Sequence, residues 1–257
     1  ILTSWNALTI DALVIAYRVF NDEKYLEMAV LNAQFLWDKI FINGQLYRNY
    51  KNEKATISAF LDDYAFLIQA YASLYQATFE EHWLEKADTL CQIVIEQFSD
   101  EATSMFFYTS STALIARKHE IMDNVIPAAN SAMANALFEL GIILDKEEWK
   151  ARAIKMLTNV HPEIAKYGSA YSNWAILLLN QVFNPHEVVL TGTDPIALRK
   201  ELDTHYLPQK VTLGAQKESP LALLKGKATG QTKIYVCQQG ACKLPVDTIA
   251  EAIKQFA

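Results

Sequence analysis

The sequence predicts a mainly α fold: a partial α/α toroid of about three and a half helical hairpins, followed by a small α/β domain. Three observations carry this. Glycine (8) and proline (7) are scarce among 257 residues, and a shortage of the two helix breakers leans a chain towards helix. Long segments alternate between apolar on one side and apolar all round. A motif also recurs along the chain, and internal repeats are the first thing to seek in a sequence.

The repeat is Tyr25-Leu26-Glu27-Met28-Ala29, returning as Trp83-Leu84-Glu85-Lys86-Ala87 and, more weakly, as Trp149-Lys150-Ala151-Arg152-Ala153. At one constant distance ahead of each aromatic stand Asn6, Tyr64 and Asn130, and each opens a long apolar segment. One unit is therefore a helix, a short connection, a second helix and a longer return. Segments 25–36, 84–98 and 149–160 carry a single apolar stripe, the spacing of a helix wet on one side. Segments 5–20, 64–78, 131–144 and 170–183 are apolar on nearly every face, as a helix buried on all sides must be. Alternation of the two kinds describes an inner layer wrapped by an outer one, as in closed toroids and stacked solenoids. Three hairpins and one lone inner helix make an open arc, whose unpaired edge should be apolar. The returns Gln45-Leu46-Tyr47-Arg48-Asn49-Tyr50 and Met105-Phe106-Phe107-Tyr108-Thr109 suggest short strands or ribbons over one mouth of the arc.

From Asn184 the pattern changes. Stretches 187–191, 210–213 and 233–237 read as strands, while Asp194-Pro195 and Pro245 open helices. Strands alternating with helices suggest a small parallel sheet, so two domains are expected, 1–183 and 184–257.

Composition excludes several classes. Half the residues (51%) are hydrophobic and only 20% are charged, which rules out a disordered chain. A net charge of −6 without basic runs argues against nucleic-acid binding, and no apolar run is long enough to cross a bilayer. Three cysteines make no disulfide framework, so a reducing, cytoplasmic setting is expected. The five histidines form no ligand spacing, and neither a metal nor another cofactor is expected. The chain opens at Ile1 in the approach to a helix, as a piece of a longer protein would.

Leu2-Thr3-Ser4-Trp5-Asn6-Ala7-Leu8 and Phe60-Leu61-Asp62-Asp63-Tyr64-Ala65-Phe66-Leu67-Ile68 resemble motifs of a known family. So do Arg117-Lys118 with Asp123, Pro127, Asn130 and Ser131, and Tyr235-Val236-Cys237 with Cys242 and Pro245. Along its whole length the chain is similar to the carboxy-terminal part of the YyaL-like proteins, relatives of the spermatogenesis-associated thioredoxin-domain protein. Ala128 and Ala129 stand where that family has Ser-Gly, and Ala7 where it often has glycine. The resemblance implies a longer parent with a thioredoxin-like domain, a toroid of the six-hairpin glycosidase type and an α/β tail. The upstream thioredoxin-like domain and the missing hairpins are then the expected partners.

The repeat superposes Trp5-Asn6, Asp63-Tyr64 and Ala129-Asn130 at the amino-terminal ends of inner helices, which converge on one mouth of a toroid. Read as a sugar site, Asp63 or Asp62 handles the proton, Asn6, Asn130 and Ser131 hold hydroxyls, and Trp5 and Tyr64 stack on the ring. Arg117 would meet an anionic group such as a uronic acid or phosphate. Glycoside chemistry uses two carboxyls roughly 5–10 Å apart, and neighbours on a helix diverge by about 100°. The second acid would thus come from Asp11, Asp123, Glu120 or residues outside the chain. The plainer reading of Ser4, Asp62, Asp63 and Asn130 is helix capping, worth about 1 kcal/mol each, with Trp5 and Tyr64 as packing and Arg117 on a solvated face or in an ion pair with Asp123. Cys237 and Cys242 read either as idle thiols or as a reversible disulfide open to exchange with a thioredoxin-like partner. Two functions follow: a carbohydrate-active toroid, hydrolase or epimerase-like, or a non-catalytic scaffold that docks a thioredoxin-like domain or a peptide.

Overall fold

The computed structural model describes residues 1–110 and 116–256. Three helical hairpins come first: α1 (Thr3–Phe20) with α2 (Glu23–Ile40), α3 (Leu61–Thr78) with α4 (His82–Phe98), and α5 (Ala129–Ile143) with α6 (Glu147–Ile164). A lone helix, α7 (Ser172–Phe183), follows. Helices α1, α3, α5 and α7 stand side by side as the inner layer, each of the first three backed by its own partner outside. Periodicity explains the layering. Fifteen residues of α3 are buried, Leu61 to Ala77 nearly without interruption, whereas α4 buries one stripe containing Leu84, Ala87, Cys91, Val94 and Phe98. The arc ends on exposed apolar side chains, Ile15 and Val19 on α1 and Leu179 and Val182 on α7.

Between α2 and α3 lie two short hairpins, β1 (Phe41–Ile42) with β2 (Gln45–Leu46) and β3 (Tyr50–Lys51) with β4 (Lys54–Ala55). Asn43 and Gly44 turn the first at φ 51° and 78°, the left-handed pair that tight hairpins require. The expected ribbon at 105–109 forms no strand beyond a single bridge, Ser99 to Phe106. The reason is a side chain: Asn130 occupies the peptide group of Phe106 where a second strand would pair.

The carboxy-terminal unit is a four-stranded sheet in the order β6-β5-β7-β8, with β5 (His186–Thr191), β6 (Lys210–Ala215), β7 (Lys233–Gln238) and β8 (Ala241–Cys242). Its helices are α8 (Pro195–Leu202) and the short α9 (Ile249–Ile253). Asp194 caps α8 by accepting the Ala197 N–H at 2.9 Å. The parallel sheet expected from sequence is only partly realised: β5 and β6 run parallel, but β7 is antiparallel to β5. Helix α8 supplies the crossover a parallel pair needs, whereas the connection from β6 to β7 contains only turns, so β7 returns in the opposite sense. Strand alternation gives the sheet two apolar faces. Val189, Val211 and Leu213 join the core of the helical arc, while Val188, Leu190, Ile234 and Val236 pack with Leu202, Ile249 and Ala252. The sheet thereby sits across the carboxy-terminal end of α3, where Phe79 meets Gly214. We propose Asn184-Pro185, between α7 and β5, as the division between 1–183 and 184–257. No helix among the described residues is long and apolar enough to cross a membrane.

Candidate functional site

At the amino-terminal mouth, the sequence-derived residues are held by the backbone of their neighbours. Asp63 is fully buried. Its carboxylate accepts the N–H of Phe60 and the N–H of Ser4, both at 3.0 Å, and an Arg48 N–H at 2.8 Å. Burial, with the Asp62 charge beside it, pushes its pKa up to about 6 against the pull of those donors. Asp62, also buried, accepts from the same Arg48 nitrogen at 2.9 Å. Asn130 is fully buried too, taking the Phe106 N–H and donating to the Phe106 and Glu120 carbonyls at 2.9–3.1 Å. The Ser131 hydroxyl donates to Asp123 at 2.7 Å, and Asp123 further accepts the N–H groups of Ala128 and Asn173.

The plain capping reading therefore needs correction as well as the ligand reading. Ser4 lies inside α1 with a buried hydroxyl that has no partner among the described residues. Neither Asp63 nor Asn130 serves its own helix alone. Asp63 satisfies amino-terminal N–H groups of α1 and α3, and Asp123 those of α5 and α7. These are orphan donors that every helix start must place somewhere.

The aromatic and cationic candidates scatter. Tyr64 is buried edge-on to Phe98 at 5.3 Å, its hydroxyl oxygen accepting the Leu46 N–H. Trp5 is 65% exposed, which removes it from the packing role. Asn6 donates to the Leu2 carbonyl at 2.7 Å. Arg117 lies over the Phe107 ring at 3.9 Å and donates to the Thr109 and Gln97 carbonyls, fixing a return rather than pairing with Asp123. The structure thus gathers Asp62, Asp63 and Arg48, while Tyr64 and Asn130 are engaged with backbone groups and Trp5 stands exposed. Cys237 and Cys242, opposite each other on β7 and β8, form a disulfide instead of two idle thiols. Among the described residues no group of three or more metal-ligating side chains converges.

A second polar set lies on the side of the inner helices away from the outer layer. Helix α3 presents Gln69, Ser73 and Gln76; α5 presents Asn135 and Glu139; α7 presents Asn173 and Asn180. A cavity of about 280 Å³ opens between these helices and residues 208–211, with Gln69, Asn135, Glu139, Asn173 and Lys210 in its wall. Glu139 accepts from the Gln76 amide at 2.6 Å, and the Gln76 carbonyl accepts the Thr212 N–H at 3.0 Å, tying arc to sheet. Asp11 of α1 accepts the Ser73 hydroxyl at 2.5 Å. Burial raises the pKa of both Glu139 and Asp11, and the Asp11 charge raises Glu139 further. Each carboxyl is therefore disposed to hold a proton at a concave, partly dry face. Sequence reading passed over Glu139 and the amides because their helices look apolar all round. The signal was present: polar residues at i, i+4 and i+7 mark one face of a helix.

No family model matches the chain. An uncharacterized protein of Caenorhabditis elegans is 29% identical across 99% of this chain and 37% of its own length. Spermatogenesis-associated protein 20 of Rattus norvegicus and of Homo sapiens are 26% and 25% identical, across 98% of this chain and 35% of theirs. The chain spans about a third of the length of these curated relatives. Among solved structures, a GH76 alpha-mannanase of Bacteroides thetaiotaomicron superposes with a TM-score of 0.52 at 14% identity, over 63% of this chain and 44% of that one. A cellobiose 2-epimerase from Bacillus thermoamylovorans gives 0.51 at 20% identity, over 61% and 43%. A D-mannose isomerase gives 0.52 at 17% identity, over 62% and 40%. The fold is that of a partial α/α toroid. Such likeness shows architecture, and chemistry has to be argued from the residues.

Proposed function

We propose that the chain is the ligand-facing arc of a carbohydrate-active α/α toroid, hydrolase or epimerase-like, holding a sugar against its concave face. One observation carries the reading: Glu139, in the wall of the concavity, is biased towards the protonated form by its burial and by the nearby Asp11 charge. Acid–base work on sugars needs a group whose pKa is raised towards the working pH. The cavity, about 280 Å³, sits just below the roughly 300–1,000 Å³ of most ligand pockets and suits one sugar ring better than a polymer. Glu139 is the acid–base candidate and Asp11 its partner. Asp62 and Asp63 brace the mouth through Arg48 in this reading, and the acid–base role passes from them to Glu139. The superposed mannanase, epimerase and isomerase favour the same substrate class by analogy of fold.

A thermal-shift screen of neutral, amino and acidic sugars tests this on wild type and Glu139→Gln. A ligand at a hundred times its Kd adds about 2.7 kcal/mol of stability. The expected result is a shift in wild type that is absent from a Glu139→Gln variant melting normally on its own. No shift with any sugar moves the conclusion to the second reading, a scaffold.

One observation favours that scaffold. Under the repeat, Ile15 of α1 occupies the position of Ser73 of α3, and Ser73 meets the preceding inner helix through Asp11. Ile15 and Val19 are more than half exposed, so α1 offers an apolar stripe where a further hairpin would pack. We place the missing hairpins of a longer, cytoplasmic parent there. A thioredoxin-like domain is the other partner, with the Cys237–Cys242 disulfide as its exchange target.

A further inference from the structure

The wall of the concave cavity is divided in chemistry. On its helical side three of the carboxamides donate to the protein. Gln69 donates to the Ala132 carbonyl, Asn135 to the Ser131 and Asn173 carbonyls, and Asn173 to the Ser131 hydroxyl, at 3.0–3.2 Å. Their side-chain oxygens accept nothing among the described residues. This side thus offers carbonyl acceptors with spare N–H groups of Gln69 and Asn173 beside them, which suits a ligand rich in hydroxyls.

On the sheet side stands Lys210, one of three cations that share a single carboxylate. Asp203 takes Arg18 through two bonds of 2.9 and 2.7 Å, and Arg199 at 2.7 Å. Lys210 is left 3.6 Å from the same carboxylate, and its one hydrogen bond, to the Leu207 carbonyl, is 3.4 Å long. Its side chain is only 12% exposed and it lines the cavity. An ammonium has three donors, and among the described residues Lys210 uses them only in these two long contacts, in a site that water reaches poorly. The acid that shares the cavity wall, Glu139, is a carboxyl that burial disposes to neutrality. The two arginines hold Asp203 by shorter contacts, so Lys210 shares that carboxylate as its most distant cation and the cluster keeps a surplus of positive charge.

We propose that the cavity selects a monosaccharide carrying one anionic group, its hydroxyls on the carbonyl row of α3, α5 and α7 and its anion on Lys210. The proposal rests on the sugar reading above and narrows it from sugars in general to acidic ones. A carboxylate at the end of a hexuronate and a phosphate on a hexose offer the same chemistry to an ammonium.

Isothermal titration of the whole chain with glucose, glucuronate and glucose 6-phosphate, at low and at 0.5 M salt, tests it. The expected result is at least tenfold tighter binding of one acidic sugar than of glucose, with the preference shrinking in high salt as a charge contact must. Glucuronate and glucose 6-phosphate compared directly identify which anion is taken. Lys210→Gln should remove the preference, while Lys210→Arg should retain most of it. Glucose binding as tightly as either acidic sugar, or a preference that survives Lys210→Gln, overturns the proposal and leaves the sugar reading intact. Should Lys210→Gln fail to fold, salt-insensitive discrimination by wild type overturns it equally. Failure of all three sugars to bind defeats the sugar reading itself, and this proposal with it.

Discussion

The Asp63 carboxylate accepts the backbone N–H of Ser4, so the first turn of α3 caps the helix of the preceding hairpin. Asp123 does the same service for α5 and α7. Two carboxylates thus satisfy the starts of all four inner helices. The mouth of the arc is braced by charge and backbone rather than by apolar packing, and several consequences can be measured.

Asp63→Ala removes acceptors from two helix starts and leaves Arg48 facing Asp62 alone. Breaking one partner of a buried pair costs about 3–5 kcal/mol, and that is the loss expected in urea unfolding. A loss under about 1 kcal/mol would mean the network contributes as little as a surface ion pair.

Asn130→Ala strands the Phe106 N–H and carbonyl. Each buried group left unpaired costs about 1–3 kcal/mol, so a combined drop of about 2–5 kcal/mol is expected. Asn130→Asp keeps the acceptor for the Phe106 N–H but not the donor to its carbonyl, so it should lie between. Hydrogen exchange at the Phe106 amide distinguishes them, slow in wild type and Asn130→Asp, fast in Asn130→Ala.

Asp63 also sets a pH dependence. Its folded pKa of about 6 lies above an unfolded value near 3.9, so the folded chain binds this proton more tightly. The contribution is present in full below the unfolded value and is lost as pH rises through about 6. Melting temperatures of wild type minus Asp63→Asn should therefore fall between pH 4 and pH 7, at the ends of that window. A flat difference would show that Asp63 does not titrate there.

Gly214 on β6 lies against Phe79, the residue that ends α3. A Cβ built at Gly214 would come within 2.3 Å of the Phe79 ring. Gly214→Ala should destabilise by about 1–3 kcal/mol, the usual cost of overpacking, with Phe79→Leu partly relieving it. Equal stability of Gly214→Ala and wild type would show that sheet and arc are free to separate.

Legibility followed the range of each interaction. The hairpins were readable because helix burial leaves a periodic trace: α4 shows one stripe and α3 none, and no distant residue is needed to see it. The sense of β7 was not readable, since it depends on turns after β6 that carry no periodic signal. Asp63 and Asn130 were identified as special by the repeat, but whether they faced a ligand or a peptide group depended on loops folding back over them. Phe106 and Ser4 decide that, and both are far away in the chain. Glu139 was hidden because one polar side chain in a helix like α5 says little until α3 and α7 stand beside it.

By itself the sequence determined the layered arc, its exposed edges and the change to an α/β unit near Asn184, because these follow from local periodicity and from which faces must leave water. Only the tertiary structure decided that the mouth is closed by buried carboxylates and that the concavity carries Glu139 and Lys210. Burial and charge at a point are sums over every chain segment that meets there, and no single segment contains that sum.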